Sequence, residues 1–142
     1  MTGVDTNILV YAHREEMQFH VAAEDCVRRL AESSATWAIP WPCLHEFLAV
    51  VTNSRAFKTP SPMAVAITQV DAWIASPSLV LIGETGAHWG TLRRVLDQSS
   101  IAGPAVHDAR IAAICVQHGV STFLSLDRDF SRFKDLRTVN PL

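Results

Sequence analysis

The stretch Gly3-Val4-Asp5-Thr6-Asn7-Ile8-Leu9-Val10-Tyr11-Ala12 lies near the start of the chain. In it a short apolar run leads into the acidic residue Asp5. The first residues of the stretch have the length and character of a buried strand. Asp5 or Thr6 can cap the short helix that the pattern predicts from Ile8 to Arg14. A strand that passes directly into a helix is typical of α/β proteins. The stretch therefore places an acidic residue at the carboxyl end of the first predicted strand.

The rest of the sequence continues the alternation of strands and helices. The predicted strands are short apolar runs without inside–outside alternation, which indicates a parallel sheet covered on both faces. We expect a three-layer α/β/α fold with a mainly parallel sheet of four to five strands, in a single domain spanning residues 1–142. Gly119 is a predicted left-handed cap. The predicted strands are 1–5, 36–39, 79–82, 120–124 and 137–139, and the predicted helices are 8–14, 18–33, 42–53, 61–75, 86–98 and 105–118.

Composition sets limits on the class of protein. Hydrophobic residues make up 49% of the chain and charged residues 18%, which favours a compact core over disorder. The 12 basic and 14 acidic residues give a formal net charge of −2, so charge alone neither supports nor excludes a polynucleotide substrate. Cys26, Cys43 and Cys115 form no C-x-x-C pair, and we interpret them as small buried hydrophobes in a reducing, cytoplasmic protein. No signal peptide or membrane-spanning run is recognisable.

Three more acids follow predicted strands or begin predicted helices. Glu46 comes after the apolar run that starts at Trp37, Asp108 opens a helix, and Asp127 follows the fourth predicted strand. The carboxyl ends of parallel strands form the ligand crevice of an open α/β sheet. Carboxylates that converge there repel one another unless a cation neutralises them. Hard oxygen ligands select Mg²⁺ or Mn²⁺, so the four acids predict a metal-dependent phosphoryl-transfer site.

Each acid also has an ordinary structural explanation. Asp5 could only cap a helix, Glu46 could lie on an exposed helix face, and Asp108 could interact with a helix dipole. Asp127 and Asp129 could belong to a solvated turn. The order and placement of the acids together favour the metal site.

The joint pattern resembles the PIN-domain family of metal-dependent nucleases and, within it, the VapC toxins of bacterial toxin–antitoxin pairs. The resemblance covers nearly the whole chain and rests on four stretches, which are Gly3 to Ala12, His45-Glu46-Phe47, His107 to Ala113, and Phe123 to Phe130.

The resemblance implies which side chains form the site. Asp5, Glu46, Asp108 and Asp127 would hold one or two Mg²⁺ or Mn²⁺ ions. The supporting positions that it implies are Thr6, Asn7, Ser125 and Asp129. Ser125 stands where the family usually has Thr, so a hydroxyl is retained and can still hydrogen-bond to an acid or to a metal-bound water.

The implied reaction is hydrolysis of an RNA phosphodiester. A bound metal lowers the pKa of a water molecule, which makes hydroxide available near neutral pH. Cleavage would leave 5′-phosphate and 3′-hydroxyl ends. The resemblance also implies a structured RNA target such as tRNA or rRNA, a small cognate antitoxin and a homodimer.

Several side chains are weaker candidates for substrate contact. His13 and Arg14 follow the first helix, and Arg110 and Arg128 lie within the acidic blocks. His107 precedes Asp108 and could instead act as an N-cap or a surface residue.

The tryptophans leave two explanations open. Trp37 and Trp41 flank the second strand and could stack on bases, or they could pack in the core or between subunits. Trp73 and Trp89 have apolar helical spacing and are predicted to be buried.

Two other classes of protein remain possible from the residues alone. A phosphatase of the haloacid-dehalogenase type requires Asp-x-Asp after the first strand, and position 7 is Asn7. A receiver domain requires a late Lys, and Lys134 fits that position poorly. A non-catalytic binding module on the same fold is the third hypothesis, although all four acids are present.

Overall fold

The computed structural model of the protein describes all 142 residues and contains one five-stranded sheet. The strand order is β3-β2-β1-β4-β5, and every neighbouring pair is parallel. The predicted α/β/α architecture is therefore confirmed, with a sheet that is entirely parallel. The strands are β1 (Thr2–Val4), β2 (Trp37–Pro40), β3 (Leu79–Ile82), β4 (Thr122–Leu124) and β5 (Arg137–Val139).

Six helices flank the sheet in two packed groups. In the first group α1 packs on α2 and α3, and α3 packs on α4, whereas α5 and α6 pack together. None of them has the length and apolar character needed to span a membrane. The helices are α1 (Thr6–His13), α2 (His20–Glu32), α3 (Trp41–Val51), α4 (Met63–Ile74), α5 (His88–Ser99) and α6 (Val106–Gln117).

The topology brings several chain segments to one edge of the sheet. β1 is central and lies between β2 and β4. Because all strands are parallel, the segments that leave β1, β2 and β4 emerge at the same edge. These segments carry Asp5, Glu46 and Asp127.

The core is formed by aromatic and branched aliphatic side chains on both sides of the sheet. Trp37, Phe47 and Phe123 are among the largest side chains with no exposed surface. All four residues of β2 are buried. β3 and β5 are the edge strands and have a neighbour on one side only. Val80 of β3 is exposed, which differs from the predicted cover on both faces of the sheet.

Helix α1 begins at Thr6, two residues earlier than predicted, because Asp5 is its N-cap. The Asp5 carboxylate accepts a hydrogen bond from the backbone N–H of Thr6. β2 was predicted to end at residue 39, but it extends to Pro40, which is in register with Ile82. Pro40 is therefore the last paired residue of the strand.

The boundaries around β4 also have local causes. β4 starts at Thr122, later than predicted, since the backbone N–H of Val120 still bonds to Cys115 of α6. Gly119 has a φ of 75°, so the predicted left-handed cap is confirmed. The acidic stretch after β4 is a short 3-10 helix, Arg128–Arg132, rather than an open loop, and Asp127 caps it.

Two predictions of burial were wrong in part. Trp73 is buried as predicted, but Trp89 is 66% exposed, because α5 packs mainly on α6 and leaves this position in solvent. Cys43 and Cys115 are fully buried, whereas Cys26 packs against the core but is only partly covered.

Gly3 is needed for close packing in the central strand, and this predicts a measurable cost of a side chain there. A Cβ atom at Gly3 would lie 3.0 Å from side-chain atoms of both Phe123 and Val120. Gly3→Ala should lower the free energy of unfolding by about 1–3 kcal/mol because of overpacking. Gly90→Ala, which meets open space on α5, should change it by no more than about 1 kcal/mol, and in the stabilising direction. Denaturant titrations of both variants test this, and equal stability of Gly3→Ala and wild type would contradict it.

Candidate active site

Four acidic side chains line one cavity of about 330 Å³. Asp5 caps α1, Glu46 lies in the second turn of α3, Asp108 lies in the first turn of α6, and Asp127 caps the short 3-10 helix after β4. Three of them follow strands, as expected. Asp108 does not, because α6 follows α5 rather than a strand. The remaining wall of the cavity is largely apolar and includes Val10, Tyr11, Met17, Val50, Phe57, Ile111 and Phe130.

Asp5 is held by donors on both of its carboxylate oxygens. One oxygen accepts from the backbone N–H of Thr6 at 2.8 Å and lies 3.7 Å from the Cys43 thiol. The other accepts from the Ser125 hydroxyl at 2.6 Å and from the Asn7 side-chain amide at 3.2 Å. These donors come from α1, α3 and the segment after β4, so the carboxylate joins three parts of the fold.

The environment of Asp5 strongly disfavours its charge. The side chain is 5% exposed, and burial raises its pKa to about 6 despite the hydrogen bonds from Ser125 and Thr6, which lower it. The negative charge of Glu46 raises the pKa further. No Lys or Arg forms an ion pair with Asp5, so the fold contains a buried acid without a cationic partner.

Ser125 and Asn7 connect the first acid to the last acidic segment. The Ser125 hydroxyl, besides donating to Asp5, accepts from the backbone N–H of Asp127 at 2.9 Å. The Asn7 side chain accepts from the backbone N–H of Leu126 at 3.3 Å. Asn7 and Ser125 thus set the distance between Asp5 and the 3-10 helix that Asp127 caps.

The other acids are more accessible and influence one another. Glu46 is exposed at the rim, where its carboxylate accepts from the Thr6 hydroxyl at 3.1 Å. Burial raises the pKa of Asp108, and the charge of Asp127 raises it further, while Arg132 lowers it. These carboxylates therefore lie close enough to repel one another.

The donor set suits a hard divalent cation, although the side chains do not already form a complete coordination sphere. No group of three or more His, Cys, Asp or Glu side chains stands in a ready metal-binding arrangement. Asp5 is fixed, whereas Glu46, Asp108 and Asp127 are partly or fully exposed and can reorient. All the polar side chains around the cavity offer oxygen ligands or amides, the chemistry that Mg²⁺ and Mn²⁺ prefer.

The candidate substrate contacts lie in different places. Arg110 forms an ion pair with Glu84 and borders a side cavity, together with the exposed His107. His107 is not a helix cap, since α6 has no side-chain cap. Arg128 is exposed on the 3-10 helix and makes no ion pair, and the exposed Asp129 pairs with Arg132 outside the cavity.

His13 and Arg14 do not reach the four acids. They line an open cavity of about 870 Å³, which shares Met17 and Phe57 with the cavity of the four acids but contains none of those acids. The Arg14 guanidinium bonds to Ser61, Thr59 and Glu16. Both ring nitrogens of His13 are also occupied within the chain, because they hydrogen-bond to Ser61 and Gln69. The structure therefore gives these two residues a role in holding the segment before α4 against α1, which differs from the predicted contact with phosphate.

Two contributors to the site were missed from the sequence. Cys43 approaches Asp5 from α3, and Arg132 acts on Asp108 from the 3-10 helix. The sequence does place Cys43 three residues before Glu46, on the same helix, which could have drawn attention to it. Arg132 gave no signal, because the 3-10 helix that orients it was not predicted.

Comparison with known proteins identifies the family. The family model described as "PIN domain" matches residues 4–136. Ribonuclease VapC43 of Mycobacterium tuberculosis is 35% identical over 142 residues, which cover 100% of this chain and 96% of the relative. Ribonuclease VapC31 of the same species is 34% identical over 138 residues, covering 97% and 96% of the two chains. The chain belongs to the PIN-domain family and is similar to mycobacterial VapC ribonucleases over its whole length.

Solved structures show the same fold at lower identity. The structure of VapBC2 from Rickettsia felis, bound to a DNA fragment from its promoter, matches with a TM-score of 0.67 and 23% identity over 98% of this chain and 97% of that one. VapC20 of Mycobacterium tuberculosis, described as a sarcin-ricin loop cleaving toxin, matches with a TM-score of 0.66 and 15% identity over 92% and 93%. These matches support the architecture described above.

The raised pKa of Asp5 predicts a pH-dependent stability of the metal-free protein. The folded state keeps a proton on Asp5 up to about pH 6, whereas the unfolded state releases it near pH 4. The stability linked to this proton is present below pH 4 and is lost as the pH rises through 6. It amounts to about 3 kcal/mol. Asp5→Asn removes the titration, so the variant should gain stability relative to wild type between pH 4 and pH 7.

The measurement is the difference in free energy of unfolding between the two proteins in chelator, across that pH range. Using the difference cancels the titration of the other acids. A difference that does not change with pH would contradict the prediction, because it would mean that Asp5 ionises as easily in the folded chain as in water.

Proposed function

We propose that the protein is a Mg²⁺- or Mn²⁺-dependent endoribonuclease that acts as the toxin of a type II toxin–antitoxin pair. The observation that carries the proposal is the convergence of four carboxylates, from four separate segments, on one cavity in a chain of the PIN-domain family. The similarity to VapC ribonucleases at 35% identity over the full chain supports RNA as the substrate. We assign the nuclease to a single domain spanning residues 1–142.

The residues of the chain divide into fixed and adjustable ligands. Asp5 is the fixed ligand, because donors hold both of its oxygens. Glu46, Asp108 and Asp127 are adjustable ligands that approach from the rim of the cavity. A bound divalent ion would supply a water molecule of lowered pKa for in-line attack and positive charge for the phosphoryl oxygens.

The supporting side chains keep these ligands in place. Thr6 orients Glu46 through its hydroxyl, and Ser125 and Asn7 orient Asp5. The remaining wall of the cavity is largely apolar. Asp129 contributes negative charge near Asp108 without lining the cavity.

The same comparison supports an antitoxin partner. The structural neighbours include DNA-bound VapBC and FitAB and a toxin–antitoxin complex from Klebsiella pneumoniae. We propose a small cognate antitoxin, a homodimer, a cytoplasmic location, and a structured RNA such as tRNA or rRNA as the target. A non-catalytic binding module on the same fold is the alternative that the cleavage assay below would reveal.

Asp5→Asn should lower metal-dependent RNA cleavage by at least about 100-fold while the fold remains intact. The substitution removes one ligand charge from the centre of the site, and a single lost ligand or orienting group typically costs 10- to 100-fold or more. The assay follows cleavage of labelled RNA with Mn²⁺, and circular dichroism checks the fold. Asp71→Asn is the control of equal charge change, because Asp71 is exposed on α4 and lines none of the cavities described here.

The chemistry of the product ends makes the assay specific. Hydrolysis by an activated water leaves 5′-phosphate and 3′-hydroxyl ends, whereas a contaminating nuclease that uses the RNA 2′-hydroxyl leaves a cyclic phosphate. Full activity of folded Asp5→Asn, or cyclic phosphate ends, would remove the metal-dependent nuclease from consideration. RNA binding without cleavage by wild type would favour the binding module.

Expression of the protein without an antitoxin should slow bacterial growth, and Asp108→Ala should relieve the effect. Asp108 is a proposed ligand in the first turn of α6, and its removal leaves the cavity with three carboxylates. Growth curves at matched protein levels provide the measurement. Equal toxicity of wild type and Asp108→Ala would show that the harm arises elsewhere than at this site.

A further inference from the structure

A side cavity of about 320 Å³ opens beside the cavity of the four acids. It is lined by Pro42, Glu46, His107, Arg110 and Ile111. Glu46 and Ile111 line both cavities, so the two spaces share a wall. A substrate longer than one nucleotide that reaches the acids therefore has this space directly next to it.

Trp41 lies beside the side cavity, since the next residue, Pro42, lines it, and the indole is held in a defined position. It is adjacent to Pro42 at the start of α3, and 41% of its surface is exposed. The indole packs against Gly83, where an added Cβ would lie only 3.2 Å from a ring carbon. The His45 ring lies 5.9 Å away, tilted by 37°. A partly exposed, supported aromatic ring of this kind is suited to stacking against a second flat ring.

Arg110 provides a cation that lines the side cavity. Glu84, which follows Gly83, forms an ion pair with the Nε atom of Arg110. The two terminal nitrogens of the guanidinium make no hydrogen bond or ion pair within the chain. Glu84 thus orients the planar group while leaving its two-nitrogen edge available, and that edge matches the geometry of a phosphate.

We propose that the side cavity binds the nucleotide next to the scissile phosphate, with its unpaired base stacked on Trp41 and its phosphate at the terminal nitrogens of Arg110. This inference rests on the proposed function. The formal net charge of −2 gives the chain little general attraction for RNA, so local contacts must position the substrate. A base within a duplex is already stacked on its neighbours, so the subsite selects single-stranded or looped RNA.

A double-variant experiment separates stacking on the base from contact with the backbone. The probes are a fluorescently labelled adenosine 12-mer and a 12-mer of the same ribose-phosphate backbone without bases. Binding is measured by anisotropy with Mg²⁺ in an Asp5→Asn background, which prevents cleavage. Trp41→Ala should weaken binding of the adenosine 12-mer by about 5- to 150-fold, the range for loss of one stacked base, and should leave the abasic 12-mer unchanged.

Four further variants complete the design. Trp41→Phe should restore most of the binding, and Trp41→Leu, which keeps the apolar contact with Gly83, should not. Arg110→Ala should weaken both probes to a similar extent. Trp89→Ala is the matched control, because Trp89 is exposed on α5, where neither it nor its two chain neighbours line either of the adjoining cavities, and it should change nothing.

The proposal is overturned if the adenosine 12-mer does not bind, if Trp41→Ala leaves its binding unchanged, or if Trp41→Ala weakens both probes equally. An exposed tryptophan could instead contact another protein subunit, and light scattering of the same proteins tests this. Conversion of a dimer to a monomer by Trp41→Ala would assign the residue to an interface and would also overturn the subsite. Absence of RNA cleavage by wild type with Mn²⁺ refutes the proposed nuclease, whereas cleavage together with any of these binding outcomes refutes only the subsite.

Discussion

A buried carboxylate without a cationic partner is the constraint on which the site depends. Asp5 is almost completely enclosed, and burial shifts its pKa to about 6. Removing such a group from water is costly unless hydrogen bonds and charge compensate. The chain supplies the hydrogen bonds from the backbone of Thr6 and the side chains of Ser125 and Asn7, but it supplies no positive charge. The fold therefore buries a carboxylate without a cationic partner at a position where an external cation would stabilise it.

The surrounding structure follows from this constraint. β1 lies at the centre of the sheet, so the residue at its carboxyl end is covered on both sides by neighbouring segments. Those segments carry Asp127 after β4 and Glu46 after β2. Asp108 joins them from the first turn of α6. The rim acids remain accessible and adjustable. One enclosed acid at the centre and more accessible acids around it form the arrangement on which the proposed metal site rests.

Much of the architecture was predictable because its signals are local. Asp5 after an apolar strand is both a helix cap and a site residue, and one short stretch of sequence contains both signals. The hydroxyl at position 125 was recognisable from its place two residues before Asp127, and the structure shows it donating to Asp5. Gly119 was predictable because a helix is often followed by a residue in the left-handed conformation, which glycine adopts without strain.

The parts that were not predictable depend on packing between distant segments. Helical spacing alone suggested that Trp89 is buried, but spacing does not tell which neighbours cover a helix face. The pairing of Arg110 with Glu84 joins positions 26 residues apart, and nothing in either stretch indicates it. Arg14 was a candidate for contact with phosphate on charge alone, whereas its three polar partners are all internal. The charge of a residue and the spacing of apolar residues can be read from the sequence. Whether a residue is buried, paired or free to bind depends on tertiary contacts, which cannot.

The most direct test of the account is a calorimetric titration of the purified protein with Mn²⁺. The account predicts saturable binding to wild type near neutral pH, and binding weakened by about 10-fold or more in Asp127→Asn, because a ligand charge is lost. Asp71→Asn should bind as wild type does, since it removes the same charge far from the cavity. Equal affinity of wild type and Asp127→Asn, or no binding to wild type at millimolar Mn²⁺, would contradict the central claim that the four acids form a single metal site.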